Sequence, residues 1–320
     1  MKRTLRQAPD RESAASLPTP AAEEASAAGP QTPALTGGEQ TRTPGNDDPP
    51  LVRSGRAEVL TYARYLRVDD LIELQQGLTG AHDELQFIVV HQVCELWFKL
   101  LLYELKAVRA AMQAVDIRTA SRLLRRSSEI LKNFIATIPL LETMRPADFM
   151  KIRSELGAAS GFQSRQFREI EFISGAKDER YVRAHDADPK GQALLQAGME
   201  EPTLWDAFVS LLTHKGYRTE SDAETVQALV AIHKEDRHPA LDMLIEGLLE
   251  YDLLFAQWRT RHILMVERII GARPGTGQQE VKQVVGGGYT SMASGAEYLK
   301  TTLSKRFFPL IWQARTHIDQ

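Results

Sequence analysis

LQFIVVHQVCELWFKLLLYEL, residues 85–105, is apolar around nearly its whole circumference when wound at 3.6 residues per turn. Such a helix suits a position surrounded by other helices, so the stretch predicts a central element. On its C-terminal side, Leu123, Ser127, Ile130, Phe134 and Ile138 recur every three or four residues, with Arg122, Arg125, Arg126 and Lys132 between them. That spacing predicts a one-sided helix ending before Pro139. A third pattern runs from Leu241 through Leu244, Ile245, Leu248, Phe255, Trp258, His262, Met265 and Val266 to Ile269, with Gly271 and Pro274 to stop it. About 30 residues at 1.5 Å each would reach roughly 45 Å. Alternating runs joined by Asn-Gly or Asp-Gly turns are missing from the sequence. The expected class is all-α, a helical bundle.

The flanks read differently. Residues 1–57 hold 8 of the 15 prolines and no aromatic residue, too little apolar surface to offset the entropy of ordering, which predicts a disordered tail. Residues 58–320 are then one folded domain, interrupted at 274–297 by PGTGQQEVKQVVGGGYTSMASGAE, a stretch with six glycines and no helical repeat. Loops of that length are commonly functional or disordered.

Composition narrows the partners. A net charge of -3 offers no general attraction to polyphosphate, so no nucleic-acid partner is expected. Cys94 is the single cysteine, which excludes an internal disulfide or a thiolate metal cage and fits a reducing compartment. No uninterrupted apolar run approaches 18 residues and the N-terminus lacks an apolar segment, so no membrane span or leader is expected and the chain reads as cytoplasmic.

Familiar catalytic motifs fail in turn. The sequence holds no HExxH, no GxxxxGK[ST] and no GxGxxG after a strand. Gly157-Ala-Ala-Ser160-Gly161 is not GxSxG. A di-iron bundle needs two Glu-x-x-His pairs, and only Glu235 to His238 is present. What remains is one histidine in each of the two most apolar helices. His262 has Phe255 and Trp258 behind it and Met265, Val266 and Ile269 ahead on one stripe; His91 follows Phe87 by one turn. Each could be a neutral core histidine bonded to a neighbour. Alternatively, an imidazole in an apolar helical pocket suits a haem iron as its proximal ligand, with a second as a distal hydrogen-bonding group. Spacing leaves both readings open. Arg153 lies four residues after Phe149 on a helix beginning near Pro146; it could pair at the surface, or grip a carboxylate in two places if it faces a cavity.

At these residues the chain resembles the tryptophan 2,3-dioxygenase family. The likeness rests on TYARYLRVDDLIELQQGLTGAHDELQFIVVHQVCELWFKLLLYEL (61–105), PADFMKIRSELGAASGFQSRQFREIE (146–171), WRTRHILMVERIIGARPGTG (258–277) and EYLKTTLSKRFFPLIW (297–312). The resemblance implies a helical bundle enclosing haem b, ferrous in its active state, with His262 as the proximal ligand. It also implies His91 as the distal group holding the indole N–H, and Phe87 packed on the indole ring. Phe149 matches an aromatic pocket position, Arg153 the clamp on the substrate carboxylate, Thr276 a residue holding its ammonium and carboxylate, and Ser160 a pocket serine near the haem. Tyr62 and Tyr65 match residues that complete a neighbouring subunit's pocket in a homotetramer. The implied partners are L-tryptophan, or a related indole amino acid, and dioxygen, and the implied product is N-formylkynurenine.

Two departures stand out. Gln278 to Ala293 intervene where the family has a short turn, and Val93 and Cys94 replace small hydroxylated residues after His-Gln. The insertion could be a surface excursion, or could remodel the pocket toward monooxygenation or a methylated tryptophan. A haem-binding helical protein without turnover is the remaining alternative.

Overall fold

The computed structural model describes residues 60–157, 159–185, 188–235, 237–273 and 295–318. The expected tail at 1–57, Thr276 and the insertion at 278–293 lie outside the described residues. Among the described residues there is no strand, and the all-α expectation holds.

Among the described residues thirteen α-helices follow one another: α1 (Tyr62–Leu66), α2 (Val68–Ile72), α3 (His82–Gln113), α4 (Ile117–Leu141), α5 (Pro146–Leu156), α6 (Arg165–Ile173), α7 (Glu179–Arg183), α8 (Pro189–Glu200), α9 (Leu204–His214), α10 (Asp222–Glu235), α11 (Pro239–Ile270), α12 (Gly295–Lys300) and α13 (Pro309–Arg315). Local chemistry sets their ends. Asp116 accepts from Thr119 N at 3.0 Å to start α4, Thr203 and Asp206 form a reciprocal capping box on α9, and Pro146 and Pro239 occupy first-turn positions where a missing N–H costs nothing. Gly271, at φ 60°, ends α11 in a backbone conformation that L side chains rarely adopt.

The frame consists of α3, α4 and α11. α4 packs along both of the others, whereas α3 and α11 make little direct contact, and α5 touches both of them. Leu105 and Val108 of α3, Leu124 and Leu131 of α4, and Leu244 and Leu248 of α11 are fully buried in the main core. Each such side chain contributes about 1.5–3 kcal/mol of burial. At Gly247 of α11 a Cβ would meet Leu124 Cδ2 of α4 at 3.0 Å, so the glycine lets the two helices pack closely there. A smaller apolar cluster lies toward the ends of the long helices, built from Val90, Ile138, Leu141, Met144, Ile152, Met265, Ile269 and Ile270.

Two expectations need correction. α4 does not stop before Pro139 but runs through it to Leu141, and Ile138 and Leu141 bury in the smaller cluster. A proline two residues from a helix end disturbs only the last turn, and that burial offsets the disturbance. Nor is α3 surrounded: Leu85, Val89, Leu96, Leu100 and Tyr103 form an exposed row along it. Together with Leu60, Tyr62, Tyr65, Leu66, Leu71, Ile72, Leu74 and Leu78, they place most of the exposed large apolar side chains between residues 60 and 103. By length and average composition α3 is also apolar enough to cross a membrane, although Glu95, Lys99, Glu104, Lys106 and Arg109 interrupt it and its other faces pack on α4, α6 and α9.

Candidate active site

α4 packs along both α3 and α11, and each of those two helices carries one of the singled-out histidines next to residues of the smaller apolar cluster. On α3, His91 Nδ1 lies 2.7 Å from Phe87 O, one turn back. A carbonyl can only accept, so Nδ1 carries the proton, and in the neutral ring Nε2 keeps its lone pair. The Phe87 ring packs 4.1 Å from the imidazole and 5.9 Å from Phe149 on α5. On α11, Trp258 stacks on His262 at 5.2 Å and an interplanar angle of 17°. Trp258 is itself wedged against Phe134 and Phe167, each 5.0 Å away. Among the described residues no hydrogen bond occupies a ring nitrogen of His262.

Electrostatics tie the two rings together. Burial, with the His91 charge adding to it, pushes the His262 imidazole down to about 4. Burial also lowers His91, against smaller opposing effects from the Phe87 carbonyl and Glu95. Charge on one ring therefore penalises charge on the other, which favours the neutral form of both, although His91 keeps an exposed edge in the single chain. Beside them, Val90, Ile152, Met265 and Ile269 belong to the smaller apolar cluster, against which Phe87, Phe149 and Trp258 pack. Cys94, one turn beyond His91, is pushed up to about 12 by burial and is no nucleophile near neutrality.

Phe149, Ile152 and Arg153 arrive together on α5, whose Pro146 start fixes its register; Arg153 is half-buried. Ser160 Oγ accepts from Phe162 N at 3.2 Å, and Ser160 N donates to Gln163 Oε1 at 3.3 Å, which caps the short turn Gly161–Gln163. Tyr62 and Tyr65 stand apart: at 78% and 70% exposure on α1 they pack against little of their own chain.

The supports of the site were not singled out in the sequence. Arg259, one residue after Trp258, is buried and donates to Glu171 Oε1 at 3.3 Å and to Lys305 O at 3.0 Å; Arg168 donates to Glu171 Oε2 at 2.6 Å. One turn before Phe255, buried Asp252 accepts from Phe307 N, Phe308 N and Trp312 Nε1 at 2.9 to 3.3 Å. These contacts lock the turns of α11 that precede His262. Trp258, at i−4 to His262, was legible as part of the apolar stripe, and its stacking role follows from that spacing.

Fold and site together define a helical bundle that carries two imidazoles, both biased toward the neutral form, beside one apolar cluster. The model of the tryptophan 2,3-dioxygenase family matches residues 50–223. That stretch contains Tyr62, Tyr65, Phe87, His91, Phe149, Arg153 and Ser160, and it ends before His262 and Thr276. The chain is 44% identical over 267 residues to the tryptophan 2,3-dioxygenase of Nocardioides sp., covering 81% of this chain and 95% of that protein. It is 40% identical to that of Herpetosiphon aurantiacus and 36% identical to that of Caulobacter vibrioides, each alignment covering 82% of this chain and 100% of the relative. The chain belongs to the tryptophan 2,3-dioxygenase family.

Proposed function

We propose that this chain inserts both atoms of dioxygen across the indole C2–C3 bond of L-tryptophan, giving N-formylkynurenine, with ferrous haem b held through His262. The observation that carries the reading is the pair of electrostatically coupled imidazoles, both biased toward the neutral form beside one apolar cluster, in a member of this family. The residues fit a haem: His262 is uncharged, ring-stacked and without a hydrogen bond among the described residues, which is how a ligating nitrogen must be left. The apolar wall suits a macrocycle. When bound, the haem supplies the iron at which dioxygen is activated.

The chain's own residues bind and orient. His91 Nε2, its lone pair free because Nδ1–H is committed to Phe87 O, accepts the indole N–H. Its lowered basicity suits holding that proton rather than abstracting it. Phe87 and Phe149 pack on the indole, and Val90, Ile152 and Met265 exclude water. Arg153 grips the substrate carboxylate with its planar fork, Thr276 helps hold the ammonium and carboxylate, and Ser160 serves as a pocket serine near the haem.

Tyr62 and Tyr65 serve a neighbouring subunit in a homotetramer, and the exposed apolar row of α1–α3 supports burial against another copy. The working domain is 58–320. A single cysteine fits a cytoplasmic setting. The test is haem retention. His262→Ala should lose haem yet keep its helical circular dichroism, and wild-type haem should shift its absorption when L-tryptophan is added. Normal haem content in that variant would refute the ligand assignment.

A further inference from the structure

Away from the histidine pair, three side chains converge where α10 meets the start of α11. His233 comes from the last turn of α10, and Asp242 and Glu246 stand one turn apart on α11. One ligand atom from each lies within 4.8 Å of the others. The His233 side chain is only 8% exposed; its Nδ1 closely approaches Asp242 Oδ1, and its Nε2 lies 3.9 Å from Glu246 Oε1. Yet His233 Nε2 and Asp242 Oδ1 are both buried without a hydrogen-bond partner.

Buried polar atoms are nearly always satisfied, and those that are not call for an explanation such as an ion. Here an imidazole is flanked by two carboxylates, and its Nε2 makes a hydrogen bond to neither. A shared Lewis acid would resolve that arrangement. We propose that His233, Asp242 and Glu246 form a binding site for a divalent cation of the zinc class. One imidazole and two carboxylates suit a borderline ion, whereas magnesium and calcium favour all-oxygen shells. Three protein ligands leave a position for water.

Arg315 of α13 ion-pairs with Glu246, so guanidinium and cation compete for that carboxylate. Glu246 and His262 are 16 residues apart on one helix, about 24 Å along its axis. The ion therefore joins α10 to α11 and takes no part in the reaction.

Isothermal titration calorimetry of zinc chloride into the haem-loaded, chelator-treated, untagged full-length protein tests the site, alongside thermal melts with and without zinc. One zinc ion per chain and a melting temperature raised by zinc are expected. Asp242→Asn and His233→Gln should each weaken binding at least tenfold and remove the thermal shift. Arg315→Gln should tighten binding several-fold, a gain that misfolding does not produce. No binding would overturn the proposal and leave an ion-pair network only. Zinc affinity unchanged by Asp242→Asn and Arg315→Gln would also overturn it, by placing the ion elsewhere.

Discussion

Acidifying the cofactor-free chain should cost stability through His262 in a calculable way. The folded imidazole titrates at about 4, against 6.5 for the free side chain. Below 6.5 the unfolded chain takes up a proton that the folded chain refuses, so unfolding binds protons and stability falls with pH between about 6.5 and 4. At pH 4.5 the unfolded imidazole is essentially all charged and the folded one mostly neutral. The difference is about 2 pH units, or about 2.5 kcal/mol at 1.36 kcal/mol per unit. His91 adds in the same direction. Carboxylates held low in the folded state, such as Asp178, also lose stability as pH falls, so the comparison must cancel them. The assay is urea unfolding at pH 7.5 and pH 4.5 for wild type and for His262→Leu, which fills the space without titrating. Wild type should lose about 2.5 kcal/mol more than the variant between the two pH values. Equal losses would mean that His262 titrates normally, and the neutral, desolvated pocket would be refuted.

Other perturbations separate binding, support and assembly. Arg153→Ala should raise the Kd for L-tryptophan on the order of 10- to 100-fold, the 1.5–3 kcal/mol typical of a hydrogen bond to a charged group; an unchanged Kd would put Arg153 outside the pocket. Asp252→Ala strips the acceptor from two backbone N–H groups and the Trp312 indole, and should cost about 3–5 kcal/mol in denaturant unfolding. A cost below 1 kcal/mol would deny it a role in fixing α11. Tyr62→Ala and Tyr65→Ala replace exposed rings, so each should change subunit stability by no more than about 0.5 kcal/mol while lowering turnover of the assembled enzyme. Full activity in both would count against a pocket shared between subunits.

The long helices were legible because their apolar repeats are long: the α11 pattern from Leu241 to Ile269 falls inside Pro239–Ile270, and its Gly271 stop is the residue that caps the helix. The His91 bond to Phe87 was also within reach, since residues four apart on a helix stack over one another. What sequence missed depends on which surfaces stay uncovered and on contacts distant in the chain. An all-round apolar α3 reads as central, yet one face is bare in the single chain, because composition does not say whether the covering helix comes from the same molecule. Arg168, Glu171 and Arg259 look like surface charges until α6 is seen packed on α3 with Glu171 reaching α11, and Asp252 finds its donors 55 to 60 residues away.

Product mass is the most direct test of the reaction. The reduced, haem-loaded protein should be mixed with L-tryptophan under oxygen-18 dioxygen and the product weighed. Two labelled oxygen atoms in the ring-opened product are predicted. One labelled atom, or an intact indole ring after haem and substrate have bound, would contradict the dioxygenase account.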